Sequence, residues 1–523
     1  MLPMKLFIFA EVTKVLTKRF RRIQSMSYVI GVDLGTSAVK TLLMDRKGNI
    51  AAEATRSYPL FHDRPGYSEQ RPEDWVTATI EAMKEVASAN GIDASTIEGI
   101  SFSGQMHGLV LLNEPGEVVR NAILWNDTRT TAECREIEAT LGDTLLSVTR
   151  NPALEGFTLP KILWVRKHEK ELFDQASIFL LPKDYVRYRL TGELHMDYSD
   201  AAGTLLLDVA GKVWSEEVLK AFDLPVSFCP ALVESHGLVG TLLPEIANAS
   251  GLSATTKVFA GGADNACGAI GAGILSEGLT LSSIGTSGVI LSYENDKDKD
   301  FAGKVHFFNH GKENSFYAMG VTLAAGYSLS WFKKTFAANE SFNEMLAGIE
   351  EIQPGSNGLL FTPYLVGERT PHPDANIRAS FIGVDGSHER IHFARAVMEG
   401  ITFSLNESVD MFRQAGKVVD KVVSIGGGAQ NPVWLQMQAD IFNATVVSLE
   451  NEQGPGLGAA MLAAYGCEWF SSLEECANQF VKHADSYEPN AEAARQYAGL
   501  FRIYQQIYAQ TVSINEQLVP FRG

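Results

Sequence analysis

Short apolar runs, each closed by a small-residue turn, recur along the chain in two sets of three. Residues 28–34 are an apolar strand that enters Gly35-Thr36-Ser37 and returns through residues 39–44. Residues 279–284 enter Gly285-Thr286-Ser287 and return through Val289-Ile290-Leu291. The strand 100–103, ending in Gly104-Gln105, is echoed by 422–425, ending in Gly426-Gly427-Gly428. Gly261-Gly262-Ala263-Asp264 leads into the small-residue segment 268–273, and Gly454-Pro455-Gly456 leads into Leu457-Gly458-Ala459-Ala460. Repetition of such units in one order predicts an α/β chain of two duplicated domains facing each other across a central cleft.

Between the strands, Pro72-Glu73-Asp74-Trp75 predicts a helix start, with Ile80, Met83 and Ala87 on one face. Leu500, Ile503, Tyr504, Ile507 and Tyr508 predict a packed helical stripe near the end of the chain. Residues from about 125 to 230 have no counterpart in the second half and predict an insertion that shapes ligand specificity. The predicted organisation is an N-terminal extension (1–26), a first domain (27–273), a second domain (274–485) and a C-terminal helical segment (486–523). Residues 294–300 predict a solvated loop.

With 523 residues the chain exceeds one hydrophobic core. A formal net charge of −18 opposes binding to nucleic acid or an anionic membrane. Cys134, Cys229, Cys267, Cys467 and Cys476 form no CxxC pair, which predicts buried thiols in a reducing compartment such as the cytoplasm. Lys5, Lys14, Lys18, Arg19, Arg21 and Arg22 make the first residues basic, against the single acid Glu11. These charges mostly follow the apolar run 6–10, the wrong order for a secretory signal. With Met26 directly before the first strand, a non-native or upstream-start extension is expected, with a targeting or membrane-surface peptide as the alternative.

Glycine-rich turns suit phosphate because their backbone amides can face an anion. Asp33 stands where the first strand meets Gly35, Thr36 and Ser37, and a carboxylate there can hold Mg²⁺ through water. Gly285, Thr286 and Ser287 offer a second such turn. Gly427 and Gly428, followed by Asn431, leave room for a flat base or ribose. Either Gly-Thr-Ser turn alone reads more readily as an ordinary hairpin, and the triple glycine as a simple strand-to-helix turn; the duplication of the hairpin reverses that preference toward phosphate. Asp264, with Asn265 beside it, is either a helix cap or the acceptor of a substrate hydroxyl's proton. Cap hydrogen bonds are expected to keep that carboxylate ionised. Gln105, Met106 and His107 lie on a glycine-flanked loop. Trp125, Asn126, Asp127 and Arg129 bring a ring, an amide, a carboxylate and a guanidinium together, which suits a polyhydroxylated ligand or, alternatively, a capped helix start.

Taken together, these segments resemble the FGGY family of carbohydrate kinases, within the actin/Hsp70/sugar-kinase group of ribonuclease H-like ATPase folds. Gly156-Phe157-Thr158-Leu159-Pro160-Lys161 and the stretch 379–400 strengthen the resemblance, which covers nearly everything after Met26. Leu181-Pro182-Lys183-Asp184-Tyr185, residues 199–204 and Pro363-Tyr364-Leu365-Val366-Gly367-Glu368-Arg369 resemble members that phosphorylate xylulose. The resemblance implies ATP and D-xylulose as partners, with Mg²⁺ as cofactor. It implies Asp264 as proton acceptor, Met106 and His107 on the sugar, Asp33 behind Mg-ATP, Thr286 near phosphate, and Gly427-Gly428 near adenosine. Ala263 stands where glycine is expected, a departure with little bearing on the chemistry, and Gln430 stands where arginine is common, which leaves the nucleotide contacts less defined. Ribulose, gluconate or glycerol as acceptor, or a non-kinase ATPase on the same scaffold, stay open, as does a homodimer.

Overall fold

The computed structural model describes residues 27–89 and 91–522; the basic extension before Met26 lies outside them. The chain divides into two compact units. Among the described residues, unit 1 comprises 27–273, 309–313 and 453–481, and unit 2 comprises 274–308, 314–452 and 482–522.

Unit 1 is built on a seven-stranded sheet. Its strands are β1 (Tyr28–Leu34), β2 (Ala38–Asp45), β3 (Ile50–Ser57), β4 (Ile97–Gly104), β5 (Leu238–Thr241), β6 (Lys257–Phe259) and β7 (Gly262–Ala263). They run in the order β5-β6-β4-β1-β2-β3, with β7 paired to β4. β1 is antiparallel to β2, Leu34 facing Val39, and parallel to β4, Asp33 facing Ser103. β1 is central and covered on both faces, hence its near-continuous apolar sequence. Helix α1 (Pro72–Ala87) starts on Pro72 with Glu73 and Asp74 in its first turn, as expected. Its buried face centres on Trp75, Thr79, Ala82, Met83 and Val86; Ile80 is only partly buried.

The inserted region supplies α2 (Thr158–His168) and α3 (Pro182–Thr191), and α4 (Asp264–Gly271) follows β7. Unit 2 repeats the plan with β8 (Gly278–Ile284), β9 (Gly288–Glu294), β10 (His306–Asn309), β11 (Phe316–Thr322), β12 (Val419–Gly426), β13 (Thr445–Leu449) and β14 (His483–Tyr487). Their order is β10-β11-β9-β8-β12-β13-β14. β8 is antiparallel to β9 and parallel to β12, as β1 is to β2 and β4. The duplication predicted from the turns is therefore a duplication of sheet topology. Helices α5 (Gly326–Phe336), α6 (Arg390–Gln414) and α7 (Pro432–Phe442) belong to unit 2.

Helix α8 (Pro455–Gly466) packs in unit 1, although the sequence reading kept residues 453–481 with the second domain. The reason is steric. α8 presents Gly456, Gly458, Ala459 and Ala460 to α4 and β1, so closely that a β-carbon on Gly271 would lie 2.8 Å from Gly454 O and 3.0 Å from Gly458 N. One on Gly31 would lie 2.7 Å from Ala460 N. Two further expectations shift. On helix α9 (Ala491–Leu518) the buried stripe is Tyr497, Phe501, Tyr504 and Ile507, and Ile503 is exposed. Glu294 is buried and paired with Lys417 at 2.8 Å, so the solvated loop begins after it. All five cysteines are free and buried. Among the described residues no helix is long and apolar enough to cross a membrane.

Candidate active site

Asp33 is the sixth residue of β1 and is half-buried. Burial raises its proton affinity, against the Ser103 hydroxyl and the Lys40 ammonium that lower it. Asp264 opens α4 but is not its cap: the N-cap position falls on Ala263, with no side-chain cap bond. The Asp264 carboxylate instead accepts the Asn265 backbone N–H at 2.7 Å and the Asn265 amide at 3.1 Å, both on Oδ1. Those bonds do not keep it strongly acidic, contrary to the expectation from capping. Burial, reinforced by the charge of Asp33, outweighs the Asn265 N–H and pushes the carboxyl up to about 7.

Around this pair, the Asn265 amide reaches Met106 Sδ at 3.6 Å. His107 sits at φ 68°, a left-handed conformation. It is held there by Nδ1 against Gly203 O at 2.7 Å, by Phe157 with ring centroids 4.7 Å apart, and by the Thr158 hydroxyl on its carbonyl at 3.1 Å. Lys161, fully buried on α2, donates to the carbonyls of His107 (3.2 Å), Phe157 (3.0 Å) and Gly156. Its burial pulls the ammonium down to about 7. Gln105 joins Gln70 Oε1 at 3.2 Å and Gly35 O at 3.5 Å, so its amide braces the first turn.

The Trp125–Arg129 group divides. Trp125, 43% exposed, donates Nε1 to Thr36 Oγ1 at 2.9 Å and ties the insertion to the first turn. Asn126 is exposed. Asp127 and Arg129 bond each other at 2.7 and 2.9 Å. Asp127 also accepts Ser68 N–H at 2.6 Å, and Arg129 pairs with Glu69 at 2.8 Å beneath Tyr67. Their polar groups are therefore spent inside the protein.

The two Gly-Thr-Ser turns share one feature. In the first, Gly35 O accepts the Tyr58 hydroxyl, Thr36 O accepts Gln70 Nε2 at 2.7 Å, and Ser37 O accepts Tyr58 N–H at 3.3 Å. In the second, Gly285 O accepts Gly326 N–H at 2.8 Å, Thr286 O accepts Tyr327 N–H at 3.1 Å, and Ser287 O accepts Gly285 N–H at 3.0 Å. With every carbonyl engaged, and the glycine N–H groups bonded to Ala38 O and Ser287 O, each turn offers a ligand its threonine and serine N–H groups, the polarity that suits phosphate. In unit 2 a cavity of about 430 Å³ is lined by Gly285, Thr286, Gly427, Gly428, Tyr327 and Phe342. A β-carbon on Gly428 would lie 2.6 Å from Ile284 Cδ1, so glycine is required there. Asn431 lines the same cavity, but its Oδ1 caps α7 through Val433 and Trp434 N–H at 2.9 and 3.1 Å. Ser287 is exposed at the turn and outside the cavity lining.

Sequence reasoning missed Gln70, Tyr58 and Ser103 as turn supports, and Tyr327 and Phe342 as cavity walls. Lys161 stood inside a motif it quoted; a lysine within an otherwise apolar helix was the available signal.

Both units carry the same sheet plan, each with a Gly-Thr-Ser turn suited to an anion, and Asp264 opens the helix that follows the first sheet. Residues 28–271 match the N-terminal domain and residues 280–467 the C-terminal domain of the FGGY family of carbohydrate kinases. The chain belongs to that family. It is 62% identical to the xylulose kinase of Bacillus subtilis (strain 168), over 95% of this chain and all of the relative. The ligand-bound xylulose kinase structure from Lactobacillus acidophilus is 28% identical with a TM-score of 0.89, covering 94% of this chain and 100% of that one. A gluconate kinase structure from the same organism gives 28% and 0.90 at the same coverage.

Proposed function

We propose that this chain transfers the γ-phosphoryl group of ATP to the terminal hydroxyl of D-xylulose, giving ADP and D-xylulose 5-phosphate in the cytoplasm. The observation that carries the chemistry is the Asp264 carboxyl, half-buried and pushed up to about 7 beside Asn265 and Met106. A base of that affinity accepts a hydroxyl proton at neutral pH and gives it up afterwards. The choice of sugar rests on the 62% identity to a xylulose kinase, because gluconate and xylulose kinases share this fold equally well.

Asp264 removes the proton as the hydroxyl oxygen attacks phosphorus in line. Asn265 holds Asp264 Oδ1, and Met106 and His107 shape the wall against which the sugar lies. Each Gly-Thr-Ser turn, through the N–H groups of Thr36 and Ser37 in one and of Thr286 in the other, can offset negative charge on a phosphate. Tyr327, Phe342 and the Gly427-Gly428 turn receive the nucleoside. Asp33, a half-buried hard-oxygen donor whose proton affinity burial has raised, fits Mg²⁺ held through water. When bound, that ion supplies charge neutralisation on the triphosphate. A coupled ADP-release assay over D-xylulose, ribulose, gluconate and glycerol tests the reading. Turnover of D-xylulose well above the others is expected, and a preference for another acceptor overturns the assignment of substrate.

A further inference from the structure

Behind Asp264 lies an ionic cluster that the proposed chemistry does not use. Lys183, on α3, places its ammonium 2.7 Å from Asp184 Oδ1, 2.7 Å from Asp197 Oδ1 and 2.8 Å from Asp200 Oδ2, and all four side chains are fully buried. The three carboxylates have the mutual spacing of a metal site, but the lysine ammonium already bonds each of them. The cluster therefore reads as an internal ion network, and its outward bonds show what it holds.

Asp197 Oδ2 accepts the Ser199 hydroxyl at 2.5 Å and the Ser235 hydroxyl at 2.8 Å. With its proton committed to Asp197, the Ser199 oxygen is left as an acceptor. It receives the backbone N–H of Ala263 at 2.9 Å. Ala263 immediately precedes Asp264 and is the N-cap of α4, which has no side-chain cap of its own. A second arm of the network reaches the segment just before β7, the strand of Ala263. Arg187 bonds Asp184 at 2.8 Å and donates to Ala260 O at 2.6 Å. On its other side the lysine stem lies against β4, where a β-carbon on Gly104 would come within 2.6 Å of Lys183 Cβ. Gly104 leads into Gln105, Met106 and His107.

We infer that Lys183, Asp197 and Ser199 are positioning residues for the phosphoryl transfer, orienting the Asp264 carboxylate through the Ala263 N–H. The inference rests on the proposal that Asp264 is the base. The lysine charge keeps Asp197 an acceptor, Asp197 fixes the direction of the Ser199 hydroxyl, and that hydroxyl fixes the peptide from which Asp264 projects. Ser199 thus does for α4 what a capping side chain does elsewhere, but from outside the helix.

The test uses the full-length enzyme and separates kcat from KM. Ser199→Ala removes the acceptor of the Ala263 N–H and leaves Lys183 and all three carboxylates in place. A misplaced base lowers kcat by about tenfold to a hundredfold, with both KM values within about twofold of wild type. Ser199→Cys, whose sulfur is a weak acceptor, is expected between the two. Adding Ser199→Ala to Asp264→Asn is expected to cost no further turnover, since the group being positioned is gone. Wild-type kcat in the Ala and Cys variants, with only a lower thermal midpoint, overturns the inference. So does a higher KM for D-xylulose at unchanged kcat, which places the network under the sugar wall instead. Should Ser199→Ala fail to fold, the Cys variant carries the same two outcomes. Near-normal turnover by Asp264→Asn alone overturns the base assignment itself, a failure distinct from that of the network.

Discussion

The charge of Asp33 raises the proton affinity of Asp264, and together with burial it brings that carboxyl to about 7. Only the ionised form can accept a proton from a hydroxyl. The kcat/KM for D-xylulose is therefore expected to fall about tenfold for each pH unit below about 7 and to level off above it. Asp264→Asn keeps the size and the Asn265 contact but loses the base, so kcat is expected to drop by about 10²–10⁴-fold with sugar binding largely kept. A folded variant with near-normal kcat, or a wild-type profile flat from pH 5 to about 7, contradicts this account.

The packing of α8 on α4 gives a second expectation. A β-carbon on Gly458 would run into the carbonyl and Cα of Cys267, the latter at 2.9 Å. Backbone is not a flexible neighbour, so Gly458→Ala must push the helices apart, at a cost of about 1–3 kcal/mol typical of overpacking. Because α4 carries Asp264, kcat is expected to fall along with the thermal midpoint. Chemical denaturation and steady-state kinetics on the same preparation check this; an unchanged midpoint contradicts the contact.

Much of this was legible before any coordinates. The repeated hairpins and strand-turns located both sheets, because glycine-punctuated apolar runs leave few alternatives for a buried central strand. Asp33, Asp264 and His107 drew attention by their placement at strand ends and a glycine-flanked loop, whereas the sugar contact of Met106 was implied only by the family resemblance; their roles are proposals. What the sequence hid was partnership over long separation. Nothing local says that Arg129 pairs with Glu69, that Gln70 braces Thr36, or that residues 453–481 return to unit 1. The cap reading of Asp264 failed for a related reason. Local hydrogen bonds were visible, but the burial that dominates its proton affinity is a property of the whole unit.

Unit 2 holds a buried acid that makes a pH prediction of opposite sense to ordinary acid unfolding. Burial, partly offset by the backbone N–H groups of Arg369 and Leu323, raises Glu368 from its ordinary 4.5 to about 8. Between those values the folded state keeps a proton that the unfolded chain releases, so the folded state binds more protons. Its contribution to stability is then greatest below about 4.5 and is lost as pH rises toward about 8, at about 1.4 kcal/mol per unit. Glu368→Gln cannot ionise, and its unfolding free energy is expected to fall less steeply between pH 5 and about 8 than that of wild type. Parallel slopes in urea titrations of the two proteins reject the assignment.

The nucleotide reading makes the last prediction. Tyr327 and Phe342 are each 42% exposed, an unusual degree for large rings, and both line the unit 2 cavity with Gly427 and Gly428. A planar base entering there covers surface that is otherwise in contact with water, and stacking of a base on a ring is worth about 1–3 kcal/mol. Tyr327→Ala and Phe342→Ala are each expected to raise the KM for ATP about tenfold or more. The KM for D-xylulose should stay near wild type, because Met106, His107 and Asp264 belong to unit 1. Isothermal titration with ADP isolates the binding step from turnover. Unchanged ADP affinity in both variants removes these rings from the nucleotide site, whatever happens to kcat.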